Sequence, residues 1–147
     1  MATQTTQGTG QGSVERVFPK LLNGVVKPEN LATELKNMVF DVPQNYIGDN
    51  NYTLQLSDAG KHIYATDCTI TVPYYTDVDF HVGTKIMIVT GGNSIVIEKD
   101  GVSQKIYSAG DDFEAYQVDS RSVVTLLMTN DDEWHLFGDN ISEYSPG

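Results

Sequence analysis

The chain has 147 residues, 39% of them hydrophobic, one cysteine, and 20 acidic against nine basic residues, for a formal net charge of −11. This is enough apolar material for one ordinary core, but no stretch approaches the roughly 20 consecutive apolar residues of a membrane-spanning helix, and Met1 to Gly12 lacks the basic and apolar regions of a secretion signal. The expectation is one soluble globular unit plus an appendage, made in the cytosol, with no membrane partner and no intrachain disulfide.

Residues Met1 to Ser13 use only Met, Ala, Thr, Gln, Gly and Ser, which offer almost no apolar surface to offset the entropy of ordering. The next segment, Val14 to Val26, is apolar but broken by Pro19 and Gly24. It reads as an extended strap whose anchors are Val17, Phe18, Leu21, Leu22, Val25 and Val26. Pro28 and Glu29 then mark a helix start over about 28–38, with Leu31, Leu35 and Met38 on one face at i, i+4 and i+7. One such short helix is unstable alone, so its stripe must pack on something else. From Met1 to Pro43 four basic and four acidic residues cancel, while from Gln44 onward five basic residues face 16 acidic ones, the entire net charge. Two parts follow: a neutral anchoring arm, 1–43, and an acidic domain, 44–147. An acidic surface repels phosphate backbones, which argues against a nucleic-acid partner.

Beyond Pro43 the pattern changes to short β-rich runs between turn residues, as in an all-β sandwich or barrel. Nine strands are predicted: Tyr52 to Leu56, Lys61 to Ala65, Cys68 to Val72, Lys85 to Thr90, Ser94 to Lys99, Gln104 to Tyr107, Glu114 to Val118, Ser122 to Met128 and Glu133 to Phe137. Gly91-Gly92-Asn93 and Asp100-Gly101 read as tight hairpins, and so the strands they join as antiparallel neighbours. Ser57-Asp58-Ala59-Gly60 and Asn130-Asp131-Asp132 complete the turns. Ile86 to Val89 and Val123 to Met128 are apolar on both faces, which implies a second buried face such as a subunit interface. The fold class expected is mainly β, an antiparallel sandwich of jelly-roll or similar type. Cys68, in the apolar run Cys68 to Val72, reads as a small buried hydrophobe.

No nucleophile elbow, phosphate-cradling loop or His-Glu-x-x-His motif is present, so the chain does not read as an enzyme and no cofactor or metal is expected. Asp111-Asp112 and Asp131-Asp132-Glu133 sit in turn contexts, where exposed Asp is ordinary turn chemistry. Asp77-x-Asp79-x-His81 would place two carboxylates and an imidazole on one face of an extended strand; the simpler reading is a solvated polar edge. His62 and His135 are single histidines on strand patterns and read as structural. Tyr74, Tyr75, Phe80, Tyr107 and Tyr116 are the aromatics that would stack on a sugar face or in a subunit interface, with core packing the commoner fate.

The order of motifs resembles a β module of bacteriophage tail fibres and other virion appendages. The matching residues are Tyr52-Thr53-Leu54-Gln55-Leu56-Ser57-Asp58-Ala59-Gly60-Lys61, Thr69-Ile70-Thr71-Val72-Pro73 and Phe80-His81-Val82-Gly83-Thr84-Lys85-Ile86. Ile95-Val96-Ile97, Asp100-Gly101-Val102, Ala115-Tyr116 and the closing Glu133-Trp134-His135-Leu136-Phe137-Gly138 complete them. The resemblance covers about three fifths of the chain. It implies a compact sandwich, commonly a homotrimer, that belongs to the virion and has no catalytic apparatus. Since no shaft, coiled coil or β-helix repeat precedes the module, the expectation is a capsid decoration, cement or head-fibre protein on the outer capsid surface, bound through the arm to the major capsid protein or another virion protein. The alternative is the receptor-binding module of a short tail fibre that recognises host-surface glycans; a free carbohydrate-binding or hydrolytic domain is a third.

Overall fold

The computed structural model describes residues 41–146. The strap anchors Val17, Phe18, Leu21, Leu22, Val25 and Val26, and the helix carrying Leu31, Leu35 and Met38, lie outside the described residues. What is described is mainly β. In chain order the strands are β1 (Gln44–Gly48), β2 (Tyr52–Thr53), β3 (His62–Ala65), β4 (Thr69–Val72), β5 (Lys85–Thr90) and β6 (Ile95–Lys99). They continue with β7 (Lys105–Ser108), β8 (Asp111–Asp112), β9 (Ala115–Val118), β10 (Val123–Asn130), β11 (Glu133–Gly138) and β12 (Ile141–Glu143). All nine predicted strands have a counterpart, and Gln44–Gly48, Asp111–Asp112 and Ile141–Glu143 are additional.

The strands form two sheets, one of seven in the order β1-β3-β5-β10-β11-β7-β8 and one of five in the order β12-β9-β6-β4-β2. Half of the ten pairings are parallel and half antiparallel. The sheets are therefore mixed, which corrects the all-antiparallel, jelly-roll-like pairing expected from the turns. The chain alternates between sheets from β1 to β6. It makes three successive coils in which β1, β3 and β5 stack parallel in one sheet while β2, β4 and β6 stack parallel in the other.

Two turns show why the expectation failed. Gly91-Gly92-Asn93 and Asp100-Gly101 join strands of different sheets, so they are arches and not hairpins. A hairpin keeps the apolar rows of both strands on one side of one sheet. An arch instead turns Ile86, Ile88 and Thr90 of β5 and Ile95 and Ile97 of β6 toward a shared interior, where all five are buried; burying both rows removes more apolar area from water. The hairpin at Asn130 to Asp132 forms as expected, pairing β10 antiparallel to β11.

Inward side chains of both sheets join one hydrophobic cluster. Trp134 is its largest member, 1% exposed, with Phe80 packed edge-on against it at 5.4 Å between ring centroids. Cys68 is buried in this cluster, and loss of solvent pushes its thiol pKa up, as expected of a packing residue. Gly138 closes the last long strand at φ 145°, where an added Cβ would lie 2.6 Å from the Val123 carbonyl oxygen and 2.9 Å from the Val124 Cα. Both are backbone atoms, so no side-chain movement relieves the clash.

The predicted strand Tyr52 to Leu56 stops at Thr53, and Leu56–Asp58 forms a single 3-10 turn. The cause is Asp58, fully buried. Its carboxylate accepts hydrogen bonds from the Asn45 side-chain amide at 2.8 Å, the Tyr52 hydroxyl at 2.9 Å and the Gln55 backbone N–H at 2.8 Å. One side chain thus clasps β1, β2 and the turn into the first coil, and Gly60 at φ 77° then redirects the chain into β3.

Candidate interaction surface

Side chains that point away from the core make two very different surfaces. On the five-stranded sheet the outward rows, read across the registers, are Thr53, Thr71, Glu98 and Ala115, then Thr69, Val96, Gln117 and Ser142. They are short and mostly polar. On the seven-stranded sheet one outward row runs Tyr46, Tyr64, Val89, Val123. The next runs Gln44, His62, Met87, Thr125, Phe137, and a third runs Lys85, Leu127, His135, Tyr107.

This second face is rich in aromatics and aliphatics that the domain does not cover. Tyr46 is 68% exposed, Phe137 53% and Val123 48%, while Tyr64, Met87, Val89, Tyr107 and Leu127 are half-buried. Tyr46 and Tyr64 stack at 5.4 Å with their planes 8° apart, and Tyr107 tilts against His135 at 5.6 Å. The half-exposed Met87, Val89 and Leu127 are the residues that made Ile86 to Val89 and Val123 to Met128 look apolar on both faces.

The predicted ligand or interface aromatics divide. Phe80 and Tyr116 are core residues, 3% and 1% exposed. Phe80 packs on Trp134, and the Tyr116 hydroxyl shares its one proton between the carbonyls of Ile106 and Asp111 while accepting the Phe113 N–H. Neither has a free face, which corrects their inclusion among surface aromatics. Tyr107 lies on the outward face of the seven-stranded sheet, and Tyr74 and Tyr75 form a separate tilted pair at 4.7 Å. Sequence reasoning missed Tyr46, because Gln44-Asn45-Tyr46-Ile47-Gly48 has too few apolar residues to show alternation. It also missed the outward roles of Tyr64 and Phe137, which pair register alone reveals.

Asp77, Asp79 and His81 do not share a strand. The backbone turns at Tyr74, whose carbonyl accepts the N–H groups of Asp77 and Val78, and again at His81, whose carbonyl accepts that of Thr84. No group of three or more His, Cys, Asp or Glu side chains is placed to hold a metal ion among the described residues. His62 is held by the Val42 carbonyl at 2.9 Å and by the Gln44 amide at 3.1 Å, and His135 lies 3.4 Å from the Glu133 carboxylate.

An open groove of about 450 Å³ runs beside Glu98, Lys99, Asp112, Glu114, Glu143 and Tyr144. It is a structural junction. Lys99 of the five-stranded sheet, its side chain 2% exposed, reaches Asp112 of the seven-stranded sheet at 2.8 Å, and Lys105 meets the other carboxylate oxygen at 3.0 Å. Burial works to raise the Asp112 pKa, but the two ammonium groups and the Ile106 N–H outweigh it and the net shift is downward. None of the protein-family models matches this chain, and no curated protein matches it.

Proposed function

We propose that this protein is a structural component of a virus particle, a capsid decoration, cement or head-fibre protein. It binds the major capsid protein or another virion protein through residues 1–43 and presents the β domain on the outer surface. Its mechanism is adhesion without catalysis. A homo-oligomer, with three copies expected, adds avidity, so that several weak arm contacts tie neighbouring shell subunits together. Binding only the assembled shell then stabilises it by mass action.

The observation that supports this reading best is the division of charge and surface. The arm is neutral and the β domain carries the whole −11, yet one broad sheet face of that acidic domain is apolar and aromatic. A free monomer rarely leaves such a face bare, whereas an acidic remainder suits outward exposure. Particles lacking the protein should release their contents at lower temperature, and re-addition of the full chain, but not of a chain lacking residues 1–43, should restore the release temperature. Unchanged release in its absence, with no density for the protein on imaged particles, would sink the reading.

A second reading, receptor binding by a short tail fibre, draws on the Tyr74 and Tyr75 pair, which offers an aromatic platform of the kind sugars stack on. Retention of the full chain on a glycan array, lost on Tyr75→Ala, would favour it.

A further inference from the structure

We propose that the outward face of the seven-stranded sheet is the surface through which copies of this chain associate with one another. The inference deepens the reading of the protein as an assembly, and rests on it, by naming the occupant of that face.

The argument for a second copy is electrostatic. Two chains that each carry −11 repel, and like charges brought together at an interface are costly, so self-association selects whichever face lacks carboxylates. Of the 16 acidic residues from Gln44 onward, Glu133 alone stands in the outward rows of β1, β3, β5, β7, β10 and β11; on the edge strand β8, Asp112 continues the row of Tyr107 but is neutralised by Lys99 and Lys105. Glu133 is paired in register with Lys105, and Lys85 and His135 occupy the neighbouring row. One margin of the face therefore carries both signs and can complement itself, while the rest, from Tyr46 to Phe137, carries no formal charge. The other sheet fails this test, because Glu98 sits within its outward rows with no base in register beside it.

Exposure points the same way. Eight large hydrophobics are exposed among the described residues. Five lie in turns or connecting segments, and the three carried by strands, Tyr46, Val123 and Phe137, all project from this one face. A foreign partner would have no need for the acidic domain to withhold its carboxylates here. A copy of the same chain does.

Light scattering or native mass spectrometry of the full chain tests this. Wild type should exceed monomer mass. Phe137→Asp and Val123→Asp, each on an exposed side chain, should weaken self-association about 30-fold, the loss expected at a central interface position, and the pair together should give monomers with wild-type circular dichroism. Val96→Asp, on the opposite sheet, should keep the wild-type mass. If an aspartate perturbs folding, Tyr46→Lys on the edge strand gives the same readout. A monomeric wild type, folded Phe137→Asp and Val123→Asp chains of wild-type mass, or dissociation by Val96→Asp would each overturn the proposal. Particle binding separates the two readings: monomeric variants that still bind particles leave the virion role standing, whereas a stable oligomer that binds no particle refutes that role alone.

Discussion

The two halves of the β domain are each closed by a carboxylate, and the two are held in opposite ways. In the coiled half, residues 44–99, Asp58 is fully buried and accepts only from neutral donors: an amide, a phenol and a backbone N–H. In the half from Lys105 to Glu143, where five of six pairings are antiparallel, Asp112 is held by two ammonium groups, one from each sheet. The neutral clasp fixes local geometry within a single coil. The ionic clasp fastens one sheet to the other, which makes it dependent on the protonation of its carboxylate.

This contrast can be broken by mutation. The largest effect is expected for Asp112→Ala, which leaves the nearly inaccessible Lys99 ammonium facing only Glu114 at 3.6 Å. Removing one member of a buried pair costs about 3 kcal/mol, a fall in Tm of roughly 10–20 °C in a domain of this size by calorimetry. A fall of a degree or two would mean that the junction relaxes into solvent and the sheets are held by the core alone. Asp58→Ala orphans three donors and should cost about 2 kcal/mol. Asp58→Asn, which keeps an acceptor, should recover part of it. If both substitutions cost the same, charge and not hydrogen bonding is what Asp58 supplies.

The smallest effect sharpens the comparison through pH. Because Asp112 has a lowered pKa in the folded chain, its contribution is complete above the unfolded carboxylate range, about pH 4, and is lost as pH falls through the lower folded value. Denaturant midpoints should therefore decline below about pH 4, and Asp112→Asn should remove part of that decline. An identical acid profile in the variant would assign the decline to other carboxylates.

How far the sequence reached follows from the same contrast. Strand positions were legible because β-branched and aromatic residues cluster in short runs between turn residues. Partner choice was not. Gly92-Asn93 and Asp100-Gly101 carry the residue types of tight hairpins, yet each makes an arch, since local turn chemistry cannot tell on which side of the core the next strand will lie. Asp58 looked like ordinary turn chemistry because its donors, Asn45 and Tyr52, come from a strand that the sequence did not announce and from one that it drew too long. The outward face was half legible: doubly apolar runs placed Met87 and Leu127 on a second apolar face, but its continuation through Tyr46, Tyr64 and Phe137 exists only in the pair register.

The coiled start of the domain has a mechanical consequence. Residues 1–40 are joined covalently to β1, which among the described residues is paired on one side only, to β3, so a pull along the chain from that end reaches Gln44–Gly48 first among the described strands. Asn45 lies within this strand and is tied to Asp58, so tension on β1 bears directly on the clasp of the first coil, whose Ile47, Leu54 and Ile63 belong to the same buried cluster as Trp134.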